Sequence, residues 1–173
     1  CNGASTPFIS DCIFQNNVQY PVLIRLTTVN QVLTGNNLFI PRGDGKFNGI
    51  YVRGGTINQS MTWPVPPAQF CYRIFNGEDV TIQGTSNPVL TLLPGTIIKM
   101  AGNISVVVGG NSTSTLGKLL AEGVTFTSTV DDTTGDTNGD GTASIPVPND
   151  WEGIWFYNYA DDNSLVKNCL IRY

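Results

Sequence analysis

Histidine is absent from the chain, and charged side chains make up only 13% of its 173 residues. Histidine is the side chain that titrates near neutral pH and the commonest metal ligand. Its absence therefore excludes catalytic triads that use histidine and zinc sites of the usual kind. The formal net charge is -4, and lysine and arginine form no cluster. Because the charge pattern of a nucleic-acid or anionic-membrane binder is missing, we expect no nucleic-acid partner.

Long apolar runs are missing as well. No stretch reaches about 18 apolar residues, the length that a membrane-spanning helix needs, and the chain does not open with the basic and apolar segments of a signal peptide. The sequence therefore predicts no transmembrane segment. A surface rich in Asn, Thr, Ser and Gly is common outside the cell, so we expect an extracellular or cell-surface location. Cys1 fits either a lipidated N-terminus or the start of an excised fragment.

Amphipathic helical periodicity is hard to find, whereas β-strand signals are frequent. The 19 glycines and 10 prolines divide the chain into short runs of β-branched and aromatic residues, the pattern of strands separated by turns. The sequence therefore predicts an all-β fold in a single domain, 1–173. The longest candidate strands are VLIRLTTV (22–29), GIYVRGGTI (49–57), VLTLLPGTIIKM (89–100), ISVVVGG (104–110) and VTFTSTV (124–130).

Two short patterns each recur once within the chain. FISDCIF (8–14) resembles LVKNCLI (165–171), and FNGIYV (47–52) resembles WEGIWF (151–156). Because other strand-like segments separate the copies, the patterns predict coils of unequal length stacked as a parallel solenoid. An antiparallel two-sheet sandwich is the alternative, but two-residue turns such as Asn-Gly between alternating strands are few.

The first pattern predicts tight corners. Asp11 and Asn168 occupy its Asx position, and Asx residues tolerate left-handed backbone angles. Cys12 and Cys169 follow directly, and we expect them to point inward as small buried thiols in a ladder. Disulfides are the alternative in an oxidising compartment. The chain's four cysteines, which lack the paired spacing of a metal site, are Cys1, Cys12, Cys71 and Cys169.

Residues 80–173 contain four segments in succession, LTLLPGTIIKM (90–100), GKLLAEGVTFTS (117–128), DWEGIWF (150–156) and NSLVKNCLIRY (163–173), and FISDCIFQNNVQYPVLI lies near the start. These segments resemble the repeats of right-handed parallel β-helix proteins of the microbial cell surface, which are similar in fold to pectate lyases. The resemblance implies a right-handed parallel β-helix with irregular loop insertions. It implies no particular activity, because that fold hosts lyases, hydrolases, adhesins and structural proteins.

A polar insertion at 131–150, here called the insertion, separates two of these segments. It begins with the most acidic loop of the chain, DDTTGDTNGDGT. Part of this loop fits D-x-[DN]-x-[DN]-G, whose spacing lets oxygen ligands converge on calcium while glycine permits the bend. The final glutamate of an EF-hand is absent, so we expect a smaller structural Ca2+ site, with backbone carbonyls or Asp131 as further ligands; a solvated, turn-rich insertion is the alternative. The candidate metal ligands are Asp132, Asp136, Asn138 and Asp140.

The aromatic run WEGIWFYNY (151–159) is the candidate partner surface. Strand alternation places Ile154 and Phe156 on one face, and we expect that face to point inward. The aromatic residues that would point outward are Trp155, Tyr157 and Tyr159. Such rings stack on sugars or pack against a neighbouring protomer. The alternative is that the insertion folds over them, since an uncovered patch of this size favours aggregation.

Carboxylates suited to catalysis are sparse. Asp161 and Asp162 are the best pair, but adjacent residues on a strand point to opposite faces, so a functional pair would require a loop. A turn between two strands is the alternative. We therefore assign no catalytic residue and expect no enzyme.

Neither end of the chain resembles a cap for a parallel solenoid. CNGASTPFISDC begins within a corner pattern and KNCLIRY stops within one, and uncapped coils expose unpaired strand edges. We therefore expect neighbouring coils of a longer solenoid or end-to-end stacking of copies, in a structural or adhesive component of a microbial surface layer, sheath or filament. The alternative is a polysaccharide lyase, a glycoside hydrolase or a sugar-binding module of the same fold, with a glycan partner.

Overall fold

The computed structural model describes residues 7–75 and 77–173. Predictions about Cys1 lie outside the described residues. Glycine, proline and Asx residues end each run of β-branched residues after a few positions, so the strands are short. The strands are β1 Ile13–Phe14, β2 Val22–Arg25, β3 Leu38–Phe39, β4 Gly49–Arg53, β5 Gly55–Ile57, β6 Met61–Trp63, β7 Cys71–Ile74, β8 Val80–Ile82, β9 Val89–Leu92, β10 Ile97–Met100, β11 Ser105–Val108, β12 Lys118–Glu122, β13 Thr125–Ser128, β14 Gly153–Phe156, β15 Leu165–Lys167 and β16 Leu170–Ile171.

The chain is mainly β with parallel sheets, as the sequence predicts. From β4 onward, consecutive strands enter three sheets in rotation, and we call one round of the three sheets a coil. Sheet 1 has the order β16-β13-β10-β7-β4-β2, sheet 2 the order β14-β11-β8-β5, and sheet 3 the order β15-β12-β9-β6. β1 and β3 form a separate parallel pair. Among the described strands every ladder is parallel, which is contrary to an antiparallel sandwich.

Inward-facing side chains of successive coils stack into columns that form the core. In sheet 1, Ile98 lies opposite Tyr72 on one side and Phe126 on the other, and all three are buried. Because parallel pairing in register places like positions above one another, one residue per strand fills the same layer of the interior. Each fully buried aliphatic or aromatic side chain contributes roughly 1.5–3 kcal/mol of hydrophobic stabilisation.

The corner residues adopt the backbone angles that the sequence predicts. Asp11 has φ 55° and Asn168 has φ 52°, both in the left-handed region, and each precedes a short strand by two positions. The expectation that the following cysteines point inward is wrong for Cys12, which is exposed. Cys169 is half-buried and packs against the core. With Cys12 on the surface, the two cysteines do not form a buried ladder. Cys12, Cys71 and Cys169 are free thiols.

The second internal pattern does not mark equivalent positions. Its first copy ends in β4 of sheet 1, whereas its second copy, WEGIWF, contains β14 of sheet 2. The shared pattern, an aromatic residue followed two positions later by glycine and isoleucine, suits the start of a strand in either sheet. The pattern therefore predicted two strands but not the sheets to which they belong.

One end of the stack is covered by a short helical segment. A 3-10 turn, η1 (Leu26–Thr28), packs on β5, and the helix α1 (Val29–Leu33) packs on β6, at the edges of sheets 2 and 3. Leu26, Val29 and Val32 are buried there. The expectation of bare strand edges at both ends is therefore wrong for these two edges. Of the helices in the described part of the chain, none is long and apolar enough to cross a membrane.

Candidate metal centre

The insertion lies on the outer face of sheet 1. Along β10, Ile98 and Met100 point into the core, so Lys99 points outward, in register with Arg73 and Thr127. Lys99 and Thr127 are nevertheless 0% exposed. Lys99 donates hydrogen bonds from Nζ to the carbonyl oxygens of Asp131, at 2.7 Å, and of Gly135. The first half of the insertion thus covers the middle of this face.

Asp131 anchors the start of the insertion. Its carboxylate accepts hydrogen bonds from Thr127 Oγ1 at 2.6 Å, from Thr133 Oγ1 at 2.6 Å and from Arg172 at 2.6 Å. Burial opposes the charge of this carboxylate, but these hydrogen bonds and the charge of Arg172 outweigh burial, and the pKa of Asp131 lies below its usual value. Because its carboxylate accepts all of these hydrogen bonds, Asp131 holds the start of the loop against sheet 1.

Three other carboxylates of the insertion converge. Ligand oxygens of Asp132, Asp136 and Asp140 all lie within 4.8 Å of one another. The 3-10 turn η2 (Asp132–Thr134) positions the first of them. Burial, followed by repulsion from Asp136 and Asp140, raises the pKa of Asp132. Its Oδ1 atom is buried and has no hydrogen-bond partner. A cation among these oxygens would relieve both the repulsion and the unpaired oxygen.

Glycines shape the loop that carries two of these carboxylates. Asp136 accepts hydrogen bonds from the amides of Gly139, at 2.7 Å, and Gly141, at 2.8 Å. Both glycines have positive φ, 82° and 75°, which other residues adopt only with strain. The predicted ligand Asn138 instead donates from Nδ2 to Asp140, at 3.0 Å, and to Ser144, at 2.9 Å. Asn138 thus contributes to the fold of the loop in this structure.

Three converging carboxylates suit a hard divalent cation. Calcium takes six to eight oxygen ligands, supplied by carboxylates, backbone carbonyls and water in flexible geometry. The cluster of Asp132, Asp136 and Asp140 is weakly compatible with Ca2+. Asp140 is exposed and the other two are half-buried, so water could complete the coordination. The chemistry open to this cluster is to bind a cation and thereby to fix the conformation of the loop.

The aromatic run lies on a different sheet from the insertion, in and after β14 of sheet 2. Trp155 is 44% exposed, and its ring lies 6.3 Å from that of the half-buried Tyr157. Tyr159 is also half-buried. Ile154 packs against the core as expected, but Phe156, on the same face, is 49% exposed. Trp155 is therefore not wholly covered, and the hydrogen bonds that hold the first part of the insertion are to sheet 1.

Asp161 and Asp162 lie in the turn between β14 and β15. Asp161 accepts hydrogen bonds from the amide of Asn163, at 2.8 Å, and from the Asn87 side chain, and Lys118 Nζ lies 3.9 Å away. The backbone hydrogen bond from Asn163 and the Asn87 contact lower the pKa of Asp161. These contacts account for Asp161 as a residue that stabilises the turn.

Sequence reasoning missed the residues that hold the insertion in place. Lys99 is the clearest case, because a lysine within the apolar run TIIKM suggests an outward position but not its burial. Tyr20, Lys46 and Phe47 also contact the insertion, from positions about a hundred residues earlier, and no local pattern indicates such contacts.

No protein-family model matches the chain, and neither a curated protein nor a solved structure matches it.

Proposed function

We propose that the chain forms a right-handed parallel β-helix. The rotation of consecutive strands through three parallel sheets supports this fold. Connections between parallel strands of one sheet are right-handed in about 98% of cases, because a right-twisted strand packs back onto its sheet only in that sense. Electron-density or cryo-EM maps at side-chain resolution test the handedness, and a left-handed winding would contradict it.

We further propose that the protein is a non-enzymatic structural or adhesive element outside the cell. The observation that carries this proposal is the uncovered face at one end of the stack. Among the described strands, β14, β15 and β16 each pair on one side only. Phe156 and Ile171, which continue inward-facing columns, are 49% and 48% exposed there. Unpaired parallel edges around an apolar centre bind further strands of matching geometry.

Neighbouring coils of a longer chain or a second copy would cover this face, and self-association is the mode of assembly proposed for the 173-residue chain. Because the edges of β5 and β6 at the other end are covered, contact between the β14–β16 ends of two copies is favoured over head-to-tail stacking. Such a contact uses the same face of both copies, so it forms a dimer and not a filament. Light scattering with electron microscopy tests this. We expect a pair that Ile171→Lys converts to single copies, with Ile145→Lys, at an exposed position of the insertion, as the control. A wild-type protein that stays single at high concentration would contradict the proposal, and filaments would require a second contact surface.

We propose that Asp132, Asp136 and Asp140 bind a structural Ca2+. The carboxylate cluster and the unpaired Asp132 Oδ1 support this assignment. Isothermal titration with Ca2+ on protein stripped by chelator tests it. Asp136→Asn should weaken binding by at least tenfold, because it removes a charged ligand, whereas Asp162→Asn, in the turn after β14, should bind as the wild type. Absence of heat and of any thermal stabilisation by millimolar Ca2+ would contradict the site.

Sugar binding is the second candidate function. The exposed Trp155 and its neighbour Tyr157 present a ring pair of the kind that stacks on sugar faces. A glycan array with the wild type and with Trp155→Ala tests this candidate. A ligand that both proteins bind equally would exclude Trp155 from the binding surface.

A further inference from the structure

The insertion contacts coils that are not neighbours. It begins after β13 and is bound there by Thr127 and by Arg172, which follows β16. Lys99 of β10 binds the carbonyl oxygens of Asp131 and Gly135 in its first part. Its residues 136–139 contact residues that precede β2 and β4. Since sheet 1 has the order β16-β13-β10-β7-β4-β2, the insertion crosses nearly the whole sheet.

Three hydrogen bonds hold residues 136–139 of the insertion. Tyr20 Oη donates to the carbonyl oxygen of Thr137 at 2.9 Å, and Lys46 Nζ donates to that of Gly139 at 2.9 Å. The amide of Phe47 donates to the carbonyl oxygen of Asp136 at 2.9 Å. All three acceptors are backbone carbonyls, so this docking depends on the path of the chain and not on the carboxylates of the metal cluster.

Tyr20 in turn is fixed to the strands of sheet 1. Its ring stacks on Tyr51 of β4 with centroids 4.2 Å apart. The Arg73 guanidinium of β7 lies 5.0 Å from the Tyr20 ring centroid and 5.2 Å from that of Tyr51, and it donates a hydrogen bond to Tyr20 Oη. A continuous set of contacts therefore runs from β13 through the insertion to β4 and β7.

Stacks of coils usually lack such contacts. Each coil touches only its neighbours, so stability is a sum of local terms and the coils at the ends open first. We propose that the insertion couples the coils of β2 and β4 to those of β10 and β13, so that this part of the stack opens as one cooperative unit. The inference is independent of the proposed assembly and of the proposed cation.

Hydrogen exchange measured segment by segment tests the coupling. In the wild type we expect the amides of β4 and β13 to exchange through one opening event, with equal protection and equal denaturant dependence. The variant Tyr20→Phe/Lys46→Met removes two donors to the insertion, together with the Tyr20 acceptor for Arg73, and keeps the ring and the alkyl stem. It should lower protection in β2 and β4 by about tenfold or more, the effect of one or two hydrogen bonds, while protection in β13 changes less.

Two controls make the result decisive. Tyr159→Phe/Lys167→Met makes the same chemical changes outside these contacts and should leave β4 and β13 coupled. The comparison of β4 with β13 distinguishes coupling from a general loss of stability. A merely structural role of the two side chains would lower the protection of both strands by the same factor. Equal losses in both strands, or unequal opening already in the wild type, would overturn the inference.

Discussion

Lys99 donates a hydrogen bond from Nζ to the carbonyl oxygen of Asp131 across 2.7 Å, although its side chain is wholly buried. Burial lowers the pKa of Lys99, and its electrostatic interactions with Cys71 and with the aspartates of the insertion oppose that shift. A buried cation on a sheet face is costly unless its donors are satisfied. Here the carbonyl oxygens of Asp131 and Gly135 satisfy two of the three Nζ donors.

Lys99→Met should therefore destabilise the protein. The substitution keeps the alkyl stem but leaves the carbonyl oxygens of Asp131 and Gly135 without this donor, and each buried acceptor left unpaired costs about 1–3 kcal/mol. Denaturant unfolding measures the change. Lys167→Met is the control, because Lys167 is exposed and its ion pair with Glu122 contributes at most about 1 kcal/mol. Equal stabilities of the two variants would show that the Lys99 contacts contribute nothing.

Gly139→Ala should loosen the insertion more than Gly141→Ala does. Both glycines have positive φ, so alanine costs roughly 1–2 kcal/mol of strain at either position. At position 139 a Cβ atom would also lie 2.0 Å from Cζ of Phe47, whereas nothing lies within 4 Å at position 141. Thermal unfolding and proteolysis of the insertion measure the difference. A Gly139→Ala protein as resistant as Gly141→Ala would contradict the close contact with Phe47.

The thiol of Cys71 should make the protein less stable at alkaline pH. Burial raises the pKa of Cys71 from 9.0 to about 11. The folded state therefore retains a proton that the unfolded state loses, so stability is complete below pH 9 and falls as pH rises toward about 11. The expected loss over this window is about 3 kcal/mol, since each tenfold difference in proton affinity between the folded and unfolded states corresponds to about 1.4 kcal/mol. Urea unfolding at several pH values measures it.

Cys71→Ala is the reference for that experiment. Tyrosine ionisation adds its own alkaline destabilisation, because burial also raises the pKa of Tyr51 and Tyr72, so only the difference between wild type and variant reports Cys71. Parallel pH profiles would contradict a buried thiol. In native protein at pH 8, a thiol reagent should modify the exposed Cys12 rapidly and the buried Cys71 only on unfolding.

Val32→Asp should open the covered end of the stack. Val32 is fully buried in α1, which packs on β6, and an unpaired carboxylate there costs at least about 3 kcal/mol. Hydrogen exchange should show faster opening of β5 and β6 before other strands. Asn30→Asp, on the same helix at a half-buried position, should have a small effect. Unchanged exchange in β6 would show that α1 does not protect that edge.

Strand content and corners could be predicted from the sequence because both depend on local chemistry. Short β-branched runs between glycine and proline specify short strands, and Asp11 and Asn168 take left-handed angles that few other residues tolerate. The converging aspartates of the insertion were also predicted, because a spacing pattern within a few residues limits how far apart their oxygens lie. Asn138 donates its side-chain amide within the loop, and its role as a cation ligand stays a prediction.

Other properties could not be predicted because they depend on residues far apart in the chain. The five-residue helix α1 is too short to show a helical period, and only its position on β6 makes it a cover. Phe156 alternates correctly with Trp155, yet its exposure depends on whether a further strand lies beside β14.

The sequence by itself determined that the chain is built of short strands, where two of its corners lie and which residues form the acidic loop, because each is a matter of near neighbours. Only the tertiary structure decided which strands pair within each sheet, that the insertion crosses sheet 1 and that Lys99 is buried beneath it. These depend on which distant segments pack together, and that is settled by the free energy of the whole fold, which no local pattern contains.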